Sequence, residues 1–156
     1  MAVAALGLAL TGCGVQPTGV IGAGEPATGL TRGVRMYYAS ASGLRAVPLL
    51  NVEVKNLETV VKLLHGEPPE RPDDVYTLVD LPGYNVSGKG NKVTVLLADA
   101  YPQSQRDQAT GQLVCTLAST QSVLDPKVRA ENVEVTIRSY EGIRLDPVKC
   151  SDFMND

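Results

Sequence analysis

Residues 14–32, GVQPTGVIGAGEPATGLTR, hold five Gly, two Pro and three Thr. No apolar period of 3.6 or 2 persists through this composition, so the stretch reads as a flexible tether that adds nothing to a core. The foldable chain is then residues 33–150 with a polar tail at 151–156, one domain's worth of sequence. Trp is absent and Phe153 is the only Phe, so the core must rest on Val, Leu, Ile and Ala, helped by six Tyr. Hydrophobic residues at 44% and charged residues at 20% exclude a chain disordered throughout. A net charge of -3 argues against a nucleic-acid partner, which calls for a basic face. With one His and three Cys, a multi-His metal site, a four-Cys zinc site and an all-Cys iron–sulfur site are all excluded within one chain. No cofactor or metal is expected.

Ahead of the tether stands MAVAALGLALTGC. Its apolar run, Ala2 to Leu10, is about half the roughly 20 residues needed to span a bilayer and suits the apolar region of a signal peptide. Leu10-Thr11-Gly12-Cys13 resembles the signal motif of bacterial lipoproteins. The resemblance implies removal of residues 1–12 and a diacylglyceryl group on the Cys13 thiol. Two acyl chains anchor stably where one alone is marginal. Lys and Arg are absent before Arg32, so a basic leader is expected upstream of Met1. The alternative is a buried N-terminal helix or strand that ends in an incidental Cys.

In the foldable part, Val34, Met36 and Tyr38 alternate with Arg35 and Tyr37 and predict a half-buried strand. Ala39–Gly43 predicts a turn, and Leu44–Leu50 a second strand held at an edge by Pro48. Leu57, Val60, Val61 and Leu64 predict one apolar helix face, with Asn56 as N-cap and Gly66 as terminator. Val75–Leu81 predicts a strand. Tyr84–Val86, the turn Ser87–Gly90 and Lys92–Ala98 predict a hairpin, and the apolar run Val93–Ala98 predicts that its second strand is central. Ser104 with Asp107 predicts the cap of a second helix whose buried side is Leu113, Val114 and Leu117. Strands are predicted at Val133–Arg138 and Ile143–Leu145. The sum is an α+β single domain: a mixed sheet with two helices packed on one face.

Few constellations carry chemistry. Gly83, Gly88 and Lys89 match part of a phosphate-binding loop, but Gly90 stands where a hydroxyl is needed, and a strand follows instead of a helix. His65, at a helix C-terminus, reads as a capping cation, with no nucleophile signature to pair with it. Glu67, Glu70, Asp73 and Asp74 form a solvated acidic loop whose spacing does not match a Ca loop. Asn85-Val86-Ser87 fits a glycosylation sequon, which has no weight in a bacterial chain. No catalytic residue is assigned. Cys115 and Cys150 remain once Cys13 is committed to lipid, and an exported domain commonly pairs two such thiols. Helical geometry turns Cys115 away from the centre of the Leu113–Leu117 stripe, where the chain end could meet it; two separate buried or free thiols are the alternative.

The order of LTGCGVQPTGVIGAGEPATGL, GVRMYYASASGLRAVPL, LETVVKLLHGEPPE, KVTVLLADAY and QLVCTLAS resembles bacterial lipoproteins that carry a spore-germination GerM-type domain. The first helix is shorter than is usual in that family. The resemblance implies a non-enzymatic interaction module in the cell envelope, held on the outer face of the cell membrane by its lipid. Its protein partner would lie in sporulation, germination or envelope signalling. The alternative is a small-ligand or substrate-binding lipoprotein, and an envelope hydrolase is a third. At 144 residues from Cys13 onward the chain is too small for the usual two-lobed binding protein. A deep pocket lined by Tyr37, Tyr76 or Tyr84 would favour a ligand, and a shallow apolar patch a protein partner.

Overall fold

The computed structural model describes residues 33–66, 72–81, 83–99, 104, 106–142 and 144–154, all within the compact unit Thr31–Asp156. The signal sequence, Cys13, the tether, Glu67 and Glu70 lie outside the described residues.

The chain opens as an antiparallel hairpin of β1 (Arg35–Ser40) and β2 (Gly43–Pro48), with Arg35 opposite Pro48 and Ser40 opposite Gly43. It forms a two-stranded sheet of its own. Helix α1 (Leu57–His65) follows. Asn56 caps it by accepting from Thr59 N at 2.9 Å, and Leu57, Val60, Val61 and Leu64 are all buried, as the spacing predicts. Burying each such side chain contributes about 2 kcal/mol over leaving it in water. The second sheet has the order β3–β4–β5, built from β3 (Tyr84–Lys89), β4 (Lys92–Leu97) and β5 (Glu134–Ser139). β3 and β4 are antiparallel, while β4 and β5 are parallel. A parallel pair needs a long crossover, and α2 (Gln108–Leu124) supplies it.

Both helices lie on one face of this mixed sheet. At Gly88 on β3, a Cβ would fall 2.8 Å from Leu57 Cδ1 of α1 and closer still to Gln121 Oε1 of α2. Val93, Val95 and Leu97 point to that side and are buried, with Val135 and Ile137 beside them. The α+β class and the mixed sheet are therefore as expected, with the first hairpin standing apart as a second sheet.

Helix α2 departs furthest from the expectation. Thirteen consecutive residues, Ala109 to Gln121, are buried, rather than one stripe through Leu113, Val114 and Leu117. The sheet and α1 take one side of it, and β1 takes another. In the β1–β2 register the N–H groups of Arg35, Tyr37 and Ala39 face away from β2, because Leu49 N donates to Val34 O and fixes the alternation. α2 side chains receive two of them. Ser119 Oγ accepts from Arg35 N and Thr116 Oγ1 from Tyr37 N, both at 2.9 Å. Gln112 Nε2 donates to Tyr37 O at 3.3 Å and to Tyr76 O at 3.0 Å, while its Oε1 accepts from Leu78 N at 2.7 Å. Residues 112, 116 and 119 share one face of a 3.6-residue helix.

This stripe explains why the strand predicted at Val75–Leu81 is absent. Ala39 and Tyr76 exchange backbone hydrogen bonds of 3.0 Å, and the pairing stops there. The Gln112 amide occupies the next position between the two segments. Of the strand predicted at Ile143–Leu145, the described residues show only an isolated antiparallel bridge between Arg144 and Arg138, and Ile143 lies outside them. Leu145 N donates to Ile137 O and Val148 N to Val135 O, so this segment spends three residues against two of β5. The extra residue falls at Asp146-Pro147, where Pro has no N–H to give. Helix α2 starts at Gln108, with Asp107 as its cap: Asp107 Oδ1 accepts from Thr110 N and Oδ2 from Ser104 N, reversing the roles predicted for Ser104 and Asp107. The hairpin turn is Gly90-Asn91 rather than Ser87–Gly90, with Gly90 at φ 57.

Gln112 is the test of this packing. Gln112→Leu keeps the shape but strands Leu78 N and the two carbonyls, at about 1–3 kcal/mol for each buried group left unpaired. Urea unfolding is expected to show a loss of at least about 3 kcal/mol, and Thr116→Val, which strands Tyr37 N alone, a smaller one.

Candidate functional site

Three features bear on function: the cysteine pair, the surface clefts, and the titratable groups singled out from the sequence. Cys115 and Cys150 form a disulfide with their Cα atoms 4.6 Å apart, inside the range the bond requires. Cys115 lies on α2 one turn from Gly111, where a Cβ would come within 2.9 Å of the Phe153 ring and 2.8 Å of Leu44 Cδ1. Gly at 111 forgoes about 1 kcal/mol of helix propensity and gains close packing of the chain end. The tail expected from residue 151 is in fact held through Phe153. A 3-10 turn spans Cys150–Asp152, and Asp152 Oδ2 accepts from Lys149 N at 2.8 Å.

A cleft of about 600 Å3 is lined by Arg35, Tyr37, Leu50, Ser119, Val123 and Glu131, among others. A neighbouring cleft of about 530 Å3 shares Gly33, Leu50 and Val123. Arg35, Leu50 and Glu131 are exposed and Tyr37 and Val123 half-buried, so this is an open groove rather than an enclosed pocket. Of the three tyrosines that would mark a ligand site, Tyr37 lines the groove. Tyr76 is 45% exposed. Tyr84 sits on β3 beside Lys62 and Glu58; burial raises its phenol above the ordinary Tyr range, the Lys62 charge opposes that, and Glu58 adds to it. Lys62 is itself raised, first by its hydrogen bond to Glu58 at 2.9 Å and then by that carboxylate's charge.

The remaining candidates do not converge. His65 Nδ1 lies 3.8 Å from Asp80 Oδ1, and both side chains are exposed at the end of α1. Asp74 is drawn into an ion pair with Arg45 of β2. Gly88 and Lys89 belong to β3, and their backbone follows a strand instead of wrapping a phosphate. Among the described residues no group of three or more His, Cys, Asp and Glu is placed to hold a metal ion, and no helix is long and apolar enough to cross a membrane. The sequence reading missed the polar stripe Gln112, Thr116 and Ser119, for which only its spacing gave a signal.

No protein family, curated protein or solved structure matches the chain.

The disulfide closes a 35-residue separation, for which the chain-entropy treatment gives about 4 kcal/mol. Chemical unfolding of Cys115→Ser and Cys150→Ser is expected to show the same loss for each variant, and for the wild type under reductant. Full stability in any of the three would remove the bond from this account.

Proposed function

We propose that this chain is a membrane-anchored bacterial envelope lipoprotein whose folded part is a GerM-type, non-enzymatic interaction module. Leu10-Thr11-Gly12-Cys13, followed by a Gly/Pro/Thr-rich stretch, is the observation that carries the reading. The Cys115–Cys150 bond supports it independently, since such bonds persist in oxidising, extracytoplasmic compartments. A scaffold that spends its buried polar groups on its own backbone, as Gln112, Thr116 and Ser119 do, suits a module that presents a surface. The partner on this reading is another protein of the envelope, in sporulation, germination or envelope signalling.

The groove beside Tyr37 favours a second reading, a small-ligand or substrate-binding lipoprotein. Small-molecule sites bury about 70–90% of the ligand, and a groove rimmed by exposed Arg35, Leu50 and Glu131 encloses less.

Lipid attachment tests the main reading. Expressed in a Gram-positive host behind a basic leader, the chain is expected to label with radioactive palmitate and to partition into detergent. Cys13→Ser is expected to abolish both, and a substituted chain that still labels contradicts the assignment.

A further inference from the structure

The folded unit is electrically polarised along α2. At the C-terminal end of that helix, Lys127, Arg129 and Lys149 line one cleft with Asn91. Lys55 and Lys89 line the next cleft, with Leu57, Gln121 and Leu124, and Lys92 follows Asn91 directly. The Gly90-Asn91 turn joins the two clefts and is fixed to α2 and its outgoing loop: Gln121 Nε2 donates to Gly90 O at 2.8 Å and Asn91 Nδ2 to Asn132 O at 3.4 Å. Acidic residues share this end. Glu134 pairs with Lys149, Glu131 with Arg129 and Glu53 with Lys55, while Asp125, which lines the cleft of Lys55 and Lys89, accepts through Oδ1 from Lys127 N. Among the described residues, Lys89, Lys92 and Lys127 have no ion pair, and all three are exposed. The opposite end, where α1, β4 and β5 finish, carries Asp74, Asp80, Asp99 and Glu141, with Arg45 paired to Asp74 and Arg138 and Arg144 bridged at the end of β5.

The chain enters the described unit at this basic end. Gly33 lines the groove shared by Val123 near the α2 C-terminus and by Ala130 and Glu131 beyond it. Leu124, 37% exposed, lines the cleft of Lys55 and Lys89, and Leu50, 61% exposed, lines the groove of Arg35 and Glu131. Nineteen residues separate Gly33 from Cys13, a reach of at most about 70 Å.

We propose that the basic end, centred on Lys89, Lys92 and Lys127, docks on anionic phospholipid headgroups and orients the domain with its acidic end away from the bilayer. This rests on the lipid-anchor reading above. The anchor keeps the domain near the surface, so a weak electrostatic contact suffices, as for other combined lipid and basic-patch anchors. A net charge of -3 opposes approach of the chain as a whole. Polarisation lets one end be attracted while the other is repelled, which fixes orientation as well as distance. Leu50 and Leu124 are placed to touch the interface once the cations have settled on the headgroups.

The test uses residues 13–156 carrying Cys13→Ser, which contain the whole compact unit Thr31–Asp156 and bear no lipid. The protein is sedimented with vesicles of phosphatidylcholine alone or mixed equally with phosphatidylglycerol, at low salt. Binding is expected to the mixed vesicles at least tenfold over the neutral ones, and to fall away in about 0.5 M salt. Replacing Lys89, Lys92 and Lys127 together by Gln is expected to weaken it roughly a hundredfold with no change in the far-ultraviolet spectrum. Asp80→Asn with Glu141→Gln, on the acidic end, is expected to change it by less than twofold. Equal binding to neutral and mixed vesicles, or anionic binding that survives the triple substitution, overturns the proposal. Since the protein in this assay carries no lipid, either result leaves the palmitate experiment untouched.

Discussion

Three polar side chains of α2 stand where a neighbouring strand would otherwise be needed. β1 has β2 on one edge only, and its other edge presents N–H groups that would cost about 1–3 kcal/mol each if buried without partners. Thr116, Ser119 and Gln112 take up that edge from one helical face, and Gln112 alone serves three backbone groups on two segments. The first hairpin can therefore sit against a helix with its open edge inward. The mixed sheet, α1 and the disulfide-bound chain end then close around the remaining sides of α2.

Much of this was legible in the sequence. The α1 face, with its Asn56 cap, follows from four apolar residues at helical spacing, because one side of that helix meets water. Strands β1 and β5 follow from period-two alternation for the same reason, and β4 from its almost wholly apolar run Val93–Ala98. The position of α2 was not legible. A helix buried all round has no solvent side against which a stripe can be read, and Gln, Thr and Ser at core positions look like surface. The missing strand at Val75–Leu81 is the counterpart of that error. Val75, Val79 and Leu81 are buried there as a strand would bury them, but β-rich composition cannot say whether a side chain or another backbone satisfies the amides.

The candidate sites divide in a similar way. The Cys115–Cys150 pairing could be argued from compartment and from the direction of Cys115 on its helix. The small residue at 111 lets the chain end approach α2, and no sequence pattern marks that contact. The charge asymmetry was invisible to composition. Lys55, Lys89, Lys92, Lys127, Arg129 and Lys149 are spread over most of the foldable chain, and they meet at one end because β3, β4, α1 and α2 all place one terminus there. The same packing brings Gly33 to that end.

Native-state amide exchange, followed residue by residue by NMR, addresses the central claim most directly. If α2 side chains complete the edge of β1, the amides of Arg35, Tyr37 and Leu78 exchange as slowly as those of Val95 and Ile137, opening only with global unfolding. Exchange of Arg35 and Tyr37 within seconds, while Val95 stays protected, would show an open strand edge and contradict the account.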